Sequence, residues 1–265
     1  MPVITHAELA RRSAEAIVPQ VMDLLSPRSV CDVGCGRGIW LAVFRQQGAD
    51  QVVGTDGDYI ERSRLEIDAD SFVPANLEEG VPIEGSFDLA VSLEVAEHLS
   101  ESVAERFVED LVRLAPAVLF SAAIPGQGGL DHINEQWPEY WQALFERHGY
   151  LAIDCIRPRI WDREEVAFWY RQNTLLFARH DLFDSRESLK REHEASAGRP
   201  LSVIHPELFE IVLQRLRPWN RVRELAHEVE AGRLDESELD EQIAQIVRRY
   251  AERARAQASA DRRFS

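Results

Sequence analysis

The sequence lacks the features that mark several large classes of protein. Its 265 residues include only three cysteines, an odd number without a disulfide-scaffold pattern. Cys31 and Cys35 are spaced C-x3-C inside a glycine turn, which is not the usual spacing of a redox or metal pair. No apolar run approaches the roughly 18 residues that cross a bilayer, and the first residues do not resemble a signal peptide. We therefore expect a protein of the reducing cytoplasm.

The sequence also has fewer basic than acidic residues. The chain carries 46 acidic and 30 basic residues, a formal net charge of −16 at pH 7. Such a chain has no general attraction for phosphate backbones or for anionic lipid surfaces. We therefore expect a small-molecule acceptor, no membrane partner and no long nucleic acid, unless a local basic patch is present.

Short apolar segments alternate with helical patterns through residues 1–180. Alternation at this spacing predicts right-handed strand–helix–strand units and hence a parallel sheet. The expected fold class is α/β: a doubly wound, Rossmann-like, mostly parallel seven-stranded sheet, with a C-terminal helical extension. The predicted strands are 29–33, 51–55, 71–74, 87–93, 117–123, 151–156 and 174–178, and the predicted helices are 6–25, 39–47, 58–65, 102–114 and 137–147.

The character of the chain changes after residue 180. Residues 181–204 are polar and charged without a clear apolar face, which predicts a linker. Residues 205–265 predict a helical extension, with helices at 206–217 and 237–258. An apolar stripe on the second helix is typical of packing against the body or in a homodimer, and less typical of a ligand site. The stripe consists of Leu239, Ile243, Ile246, Val247 and Tyr250.

A glycine-rich turn follows the first predicted strand, which ends near Asp32. The turn reads Gly34-Cys35-Gly36-Arg37-Gly38. Glycines permit positive φ angles and a close approach of the backbone to a ligand, and the next helix directs its free amide groups into the same crevice. Asp56 ends the second strand, where a carboxylate can accept both hydroxyls of an adenosine ribose. Together these features predict an adenosine-containing cofactor.

The motifs D-V-G-C-G-R-G-I-W and V-V-G-T-D resemble those of class I S-adenosylmethionine-dependent methyltransferases, over roughly residues 28–180. The competing interpretation is a dinucleotide-binding dehydrogenase, whose third glycine falls one residue later, where this chain has Ile39. The resemblance implies S-adenosylmethionine as cofactor, with Asp32 near its amine and Asp56 on its ribose. Asn76 takes the place of an acidic residue that the family often has near the adenine. The residues implied in cofactor binding are Asp32, Gly34, Cys35, Gly36, Gly38, Asp56, Gly57, Asn76, Leu77 and Leu93.

A second polar cluster follows the fourth predicted strand. Ligands of open α/β sheets bind beyond the carboxyl ends of the strands, so Glu94, Glu97 and His98 should face the same crevice. If they begin a helical turn, two carboxylates and an imidazole share one face, an arrangement that a cation would stabilise. His132 lies near the end of a glycine-rich loop that could close over the crevice. The alternative is that this Glu-His ending needs no metal, as in many class I methyltransferases.

The pattern E-x-x-E-H with a later histidine resembles the plant small-RNA 2′-O-methyltransferases, and ubiquinone-pathway O-methyltransferases carry a similar E-x-x-E-H. This resemblance implies a metal-dependent O-methyltransferase acting on sugar or ribose hydroxyls, with Glu94, Glu97, His98 and His132 as metal ligands. Such ligands suit Mg²⁺ or Mn²⁺, which would orient two vicinal oxygens and lower the pKa of the attacked hydroxyl. The catalytic residues expected are His132, Glu94 and His98. Without a metal, His132 is the expected general base.

The predicted activity is methylation of a hydroxyl on a small polar acceptor, sugar-like or bearing a diol. One alternative is 2′-O-methylation at the 3′ end of RNA, which would require a basic groove. The other is a non-catalytic, methyltransferase-like subunit that binds partners through its helices. An aromatic run before the last strand is expected in the core, with an acceptor platform as the alternative. The run consists of Trp161, Phe168, Trp169 and Tyr170.

Overall fold

The computed structural model describes residues 5–262 and divides into two compact units, with the boundary between His205 and Pro206. The strands are β1 (Ser29–Val33), β2 (Gln51–Asp56), β3 (Phe72–Pro74), β4 (Leu89–Leu93), β5 (Ala117–Ser121), β6 (Tyr150–Ile153) and β7 (Leu175–Arg179). The helices of the first unit are α1 (His6–Leu25), α2 (Ile39–Gln46), α3 (Ala104–Leu114), α4 (Pro138–Glu146), α5 (Arg157–Ile160), α6 (Phe168–Asn173), α7 (Leu182–Ser185) and α8 (Glu187–Ser196).

Within the described residues the strands form one seven-stranded sheet in the order β3-β2-β1-β4-β5-β7-β6. Neighbours from β3 to β5 are parallel, whereas β7 runs antiparallel to both β5 and β6. The predicted α/β fold with a mostly parallel sheet is therefore confirmed. The strand order reverses between β1 and β4, and this switch point is where open α/β sheets bind their ligands.

Both faces of the sheet are covered by helices, which explains why its central strands are buried and mostly apolar. One face packs against α1 and α2, with Ile17, Val21 and Phe44 fully buried. The other packs against α3 and α4, with Phe107, Leu111 and Phe145 fully buried. Burial of each such side chain contributes roughly 1.5–3 kcal/mol, so the two apolar layers hold the strand ends in fixed positions.

Helix α1 begins and ends where its sequence predicts. Thr5 caps it by accepting a hydrogen bond from the Glu8 backbone nitrogen at 3.2 Å, and the Glu8 carboxylate accepts from the Thr5 nitrogen at 2.7 Å. This capping box satisfies amide groups that have no partner inside the helix. At the other end Ser26 adopts a left-handed conformation with φ +44°, and Pro27 prevents continuation.

The prediction of a helix at residues 58–65 is wrong. The structure has a single 3₁₀ turn at Arg62–Arg64 in this segment. Its partly buried apolar residues, Ile60 and Leu65, are five positions apart and therefore do not share a helical face. Without such a face, a short polar helix has too little tertiary packing to form.

Residues 181–204 are not a plain linker. They contain α7 and α8, and Leu189 of α8 is fully buried in the core of the first unit. Glu192 of the same helix pairs with Arg159 of α5. A helix anchored by one leucine shows no apolar periodicity, which is why its sequence resembles that of a linker.

The second unit consists of α9 (Pro206–Glu230) and α10 (Glu236–Arg262), which pack against each other. Helix α9 continues well beyond the predicted residue 217, through Pro218. Asp235 caps the start of α10: its carboxylate accepts a hydrogen bond from the Glu238 nitrogen at 2.8 Å. No helix within residues 5–262 combines the length and the apolar character needed to cross a membrane.

Candidate active site

The glycine turn after β1 is held against the end of β2. The backbone nitrogens of Gly34 and Cys35 both donate to the Thr55 carbonyl, at 2.8 and 3.1 Å. Gly34, Gly36 and Gly38 have φ angles of +84°, +53° and +78°, which glycine adopts without steric cost. A Cβ on Gly34 would come within 2.3 Å of Val95, whereas a Cβ on Gly36 would meet no atom within 4 Å. Gly36 therefore borders open space, as a residue beside a cofactor should.

Asp56 joins the glycine turn to the end of β2. Its carboxylate accepts hydrogen bonds from the Gly36 nitrogen at 2.7 Å and from the Gly57 nitrogen at 2.7 Å. The hydroxyl of Tyr59, a residue that is 78% exposed, donates to the same oxygen as Gly57. Nothing in the sequence indicated this contact. A ribose hydroxyl that bound this oxygen would have to share it with Tyr59 or displace it.

Asp32 lies at the end of β1, 2% exposed, and its Oδ2 atom has no hydrogen-bond partner within the described residues. Burial raises the pKa of this carboxyl well above its usual range, and the nearby charge of Asp56 raises it further. A cationic amine beside Oδ2 would offset both effects. Cys31 and Cys35 are free and buried, and burial raises the pKa of each thiol, so neither is a reactive thiolate.

The other predicted cofactor residues lie around this crevice. The end of β3 reaches Asp56, because the Ala75 nitrogen donates to its carbonyl at 2.8 Å. Leu77 and Leu93 are buried. Asn76 is exposed, and both polar groups of its side chain bond within its own turn, to the Glu79 carboxylate and from the Glu78 nitrogen. Asn76 still has one N–H and one lone pair with which it could bond an adenine ring.

The sequence suggested that Glu94 begins a helical turn, but it does not. Its φ of +56° is left-handed, its nitrogen donates to the Ser121 carbonyl at 3.0 Å, and only a 3₁₀ turn at Ala96–His98 follows. Such strain in a non-glycine residue persists where surrounding contacts enforce it, often at functional sites. Here the Gln127 and Asn173 amides donate to its two carboxylate oxygens at 2.8 and 3.0 Å.

Three of the four predicted metal ligands come together. Glu97, His98 and His132 each offer a ligand atom within 4.8 Å of the others. Glu94 is not part of this group: its two carboxylate oxygens accept from the Gln127 and Asn173 amides, and its charge lies next to Glu97. Glu97 is fully buried, and in the described part of the chain no group meets hydrogen-bond geometry with its carboxylate oxygens, although the Glu94 carboxyl and the Ala123 backbone lie beside it. Burial raises the pKa of Glu97, and the charge of Glu94 adds to this effect.

The two histidines of this group lie edge to face, with ring centroids 4.8 Å apart. His98 reaches the surface, whereas the side chain of His132 is 12% exposed. The part of the His98 ring that is covered by protein lowers its pKa, and the nearby His132 lowers it further. A neutral imidazole is the form that binds a metal. We will call Glu97, His98 and His132 the carboxylate–histidine group.

The loop that carries His132 is fastened to the site from both sides. The nitrogens of Ile133 and Asn134 donate to the Glu97 carbonyl at 2.9 and 3.0 Å. Glu135 accepts from the nitrogens of Gly126 and Gly128 at 2.8 and 2.6 Å and lies 3.0 Å from His132 Nδ1. With Nδ1 bonded to a carboxylate, Nε2 is the His132 nitrogen available to a cation. Sequence reasoning missed Glu135, although its position three residues after His132 was a usable signal.

The aromatic run is divided between core and surface. Tyr170 is buried against Trp40, with ring centroids 5.1 Å apart. Trp169 is partly buried and stacks on His6, and Trp161 lies 4.7 Å from the ring of His205. Of the polar residues that follow, Asn173 reaches the crevice through Glu94.

A family model described as a methyltransferase domain matches residues 6–196. No curated protein matches the sequence. Solved structures with a similar fold include magnesium protoporphyrin IX methyltransferase from Synechocystis PCC 6803 (18% identity, 64% of this chain and 84% of that chain, TM-score 0.48). Another is the methyltransferase domain of bacterial CtHen1-C (20% identity, 64% and 98%, TM-score 0.46). These similarities are too distant to carry an acceptor from one protein to another.

Proposed function

Because this chain belongs to the methyltransferase domain family and is therefore an enzyme, we propose that it transfers the methyl group of S-adenosylmethionine to a hydroxyl of a small, polar acceptor. The acceptor in this proposal is sugar-like or carries a vicinal diol. The carboxylate–histidine group binds a divalent cation, Mg²⁺ or Mn²⁺, which holds the acceptor oxygens. This group lies beyond the carboxyl ends of β4 and β5, beside the cofactor crevice of β1 and β2.

The observation that carries the proposal is the Glu97 carboxylate. A fully buried carboxylate that lacks a well-formed hydrogen bond and lies beside a second carboxylate, Glu94, is costly in its charged form, because that form has lost its hydration. A cation would offset that cost, and two imidazoles complete a mixed oxygen and nitrogen ligand set. The donor set therefore fits a divalent metal. When bound, such a metal orients two vicinal oxygens and lowers the pKa of the attacked hydroxyl.

The chain itself does the remaining work of binding and orientation. Asp32 supplies an unpartnered oxygen for the amine of the cofactor, and Asp56 supplies the carboxylate for its ribose. Gly36 leaves room for the cofactor beside the turn. Holding donor and acceptor together in line is a large part of the rate acceleration in such a transfer. If no metal binds, His132 is positioned by Glu135 to accept the proton of the hydroxyl.

Metal binding can be measured without knowledge of the acceptor. We expect Mn²⁺ titrated into chelator-treated protein to bind one site by calorimetry, and Glu97→Gln to weaken that binding at least about tenfold because a neutral amide replaces the buried carboxylate. Glu101→Gln, at an exposed carboxylate of the next turn, is the matched control and should bind like the parent protein. Equal affinity in all three proteins would exclude Glu97 as a ligand.

The acceptor class requires a separate assay. Methyl transfer from labelled S-adenosylmethionine should be tested with vicinal diols, with sugars and with RNA that ends in a free 3′ ribose. Chelator should abolish turnover, and Mg²⁺ or Mn²⁺ should restore it. Methylation of RNA alone, falling steeply with salt, would favour the RNA alternative. Full activity in the presence of chelator would contradict the proposal that methyl transfer requires a metal.

A further inference from the structure

One face of α9 exposes a stripe of large apolar side chains. Phe209, Leu213, Leu216 and Trp219 are 53, 42, 46 and 59% exposed. Their spacing of four, three and three residues places them along one side of the helix, over about 15 Å at 1.5 Å per residue. Contiguous exposed apolar groups of this kind are typical of interaction surfaces. We will call these four residues the α9 stripe.

The charges that flank the α9 stripe are arranged in opposite halves. Glu210 stands beside its amino-terminal half and Arg217 beside its carboxyl-terminal half, on the same flank, and both are exposed. Glu207 and Arg221 lie further round the helix, towards the side opposite the stripe. Arg215 is exposed on the other flank. The pairs Glu207 with Arg221 and Glu210 with Arg217 both centre on Gln214, to within half a residue. When the helix is turned end over end about this centre, each acidic residue of these pairs therefore takes the position of a basic residue, and each basic residue that of an acidic one.

The apolar residues have the same centre. Phe209 and Trp219 are equally distant from Gln214, and Leu213 and Leu216 flank it to within half a residue. A helix that is turned end over end thus meets an aromatic residue with an aromatic residue and a leucine with a leucine. A surface that is complementary to its own copy is what a two-fold symmetric dimer requires.

We propose that the protein forms a homodimer in which α9 pairs antiparallel with α9 of a second copy. The two-fold axis passes through the stripe at the height of Gln214, a residue that lies on the opposite side of the helix. Phe209 then packs on Trp219 of the other copy, and Leu213 on Leu216. Glu210 faces Arg217 of the other copy twice, once on each side of the axis. A parallel pair would not bring Glu210 and Arg217 together, because each flank of one helix then faces the opposite flank of the other. The occupant of the stripe is therefore a second copy, since an unrelated partner would not require this symmetry.

Affinity and orientation come from different parts of this surface. The apolar stripe supplies the driving force, since its side chains leave water on pairing. Exposed ion pairs add little affinity, but they discriminate between orientations. Arg221 already pairs with Glu224 of its own chain at 3.0 Å, so the Glu210–Arg217 pair is the better probe of orientation.

The first test is the mass of the full chain in solution. Sedimentation equilibrium over a range of concentrations should give a species of twice the 30.2-kDa chain mass. Leu213→Arg should weaken association at least about tenfold, because it places a charge in the stripe beside the axis. Gln214→Arg adds the same charge one residue along, on an exposed position outside the stripe, and should leave the mass unchanged. A monomer at every concentration, or a Leu213→Arg dimer as tight as the parent, would overturn the proposal.

The second test reads the orientation and leaves the apolar residues intact. Glu210→Arg and Arg217→Glu should each weaken the homodimer, because like charges then face each other on both sides of the axis. An equimolar mixture of the two variants should form a heterodimer in which both pairs are again opposite in charge. The double variant should recover the parent affinity. Homodimers of both single variants that are as tight as the parent, with no preference for the mixed species, would refute antiparallel pairing at this register.

Discussion

The two halves of the crevice are built in different ways. On the cofactor side, a contiguous glycine turn is pinned to β2 by backbone bonds, and Asp56 accepts from the nitrogens of Gly36 and Gly57. On the acceptor side, side chains from distant segments meet: Gln127 and Asn173 bind the Glu94 carboxylate. The first half depends on backbone conformation, and the second depends on tertiary packing.

This difference predicts how substitutions in each half will affect cofactor affinity and turnover. Substitutions on the cofactor side act through the backbone of the glycine turn or through the carboxylates beside it, and should change the affinity for S-adenosylmethionine. Substitutions on the acceptor side act through charge and hydrogen bonding at the carboxylate–histidine group and should change turnover. The two halves are thus separable by experiment, and the following four substitutions test that separation.

The largest effect is expected for His132→Ala. It removes an imidazole that serves either as metal ligand or as base, so kcat should fall about 10²–10⁴-fold. Calorimetric affinity for S-adenosylhomocysteine should stay within about twofold of the parent, because cofactor contacts come from the other half. His148→Ala, outside both halves, is the control. If cofactor affinity fell as much as kcat, the two halves would not be independent. Unchanged turnover would show that His132 has no catalytic role.

Glu135→Gln should lower turnover less, by about 10–100-fold, as substitutions of residues that orient metal ligands do. The amide keeps one acceptor oxygen where the carboxylate bonds Gly126, Gly128 and His132. Weaker Mn²⁺ binding and faster amide exchange at residues 126–132 should accompany the loss. Glu101→Gln controls for removal of a carboxylate. Parent-like Mn²⁺ affinity and exchange would mean that Glu135 does not position His132.

The same contrast decides how much the sequence could predict. The strand at Ser29–Val33 and the turn after it are encoded by adjacent residues, so pattern and spacing sufficed to place them. The left-handed Glu94 could not be predicted, because Ser121 and Asn173 enforce its conformation from other strands and helices. For the same reason Glu94 was expected among the metal ligands, whereas distant amides bind its oxygens. Local motifs report backbone geometry, and they do not report which side chains the fold will bring to them.

Two glycine substitutions sharpen the cofactor side of the comparison. Gly36→Ala and Gly149→Ala both place a Cβ near the left-handed region, at φ +53° and +76°, with no atom within 4 Å. Each should therefore lose about 1–2 kcal/mol of stability, the cost of a left-handed alanine. Only Gly36→Ala should also weaken binding of S-adenosylhomocysteine, by about tenfold or 1.4 kcal/mol, because only Gly36 borders the crevice. Thermal unfolding and calorimetry separate the two effects, and equal cofactor affinity in both variants would remove Gly36 from the site.

The smallest effect is expected at Tyr59, where the bond to Asp56 meets the proposed ribose position. Tyr59→Phe removes the hydroxyl that donates to Asp56 and should tighten S-adenosylhomocysteine binding about two- to fivefold, since the ligand no longer competes for that oxygen. In the Asp56→Ala background, which should itself bind severalfold more weakly, the same change should have no effect, because the contested oxygen is absent. Weaker binding on Tyr59→Phe would instead show that the hydroxyl holds Asp56 in its binding orientation. The orientation of Asp56 would then depend on another side chain, as that of Glu94 depends on Gln127 and Asn173.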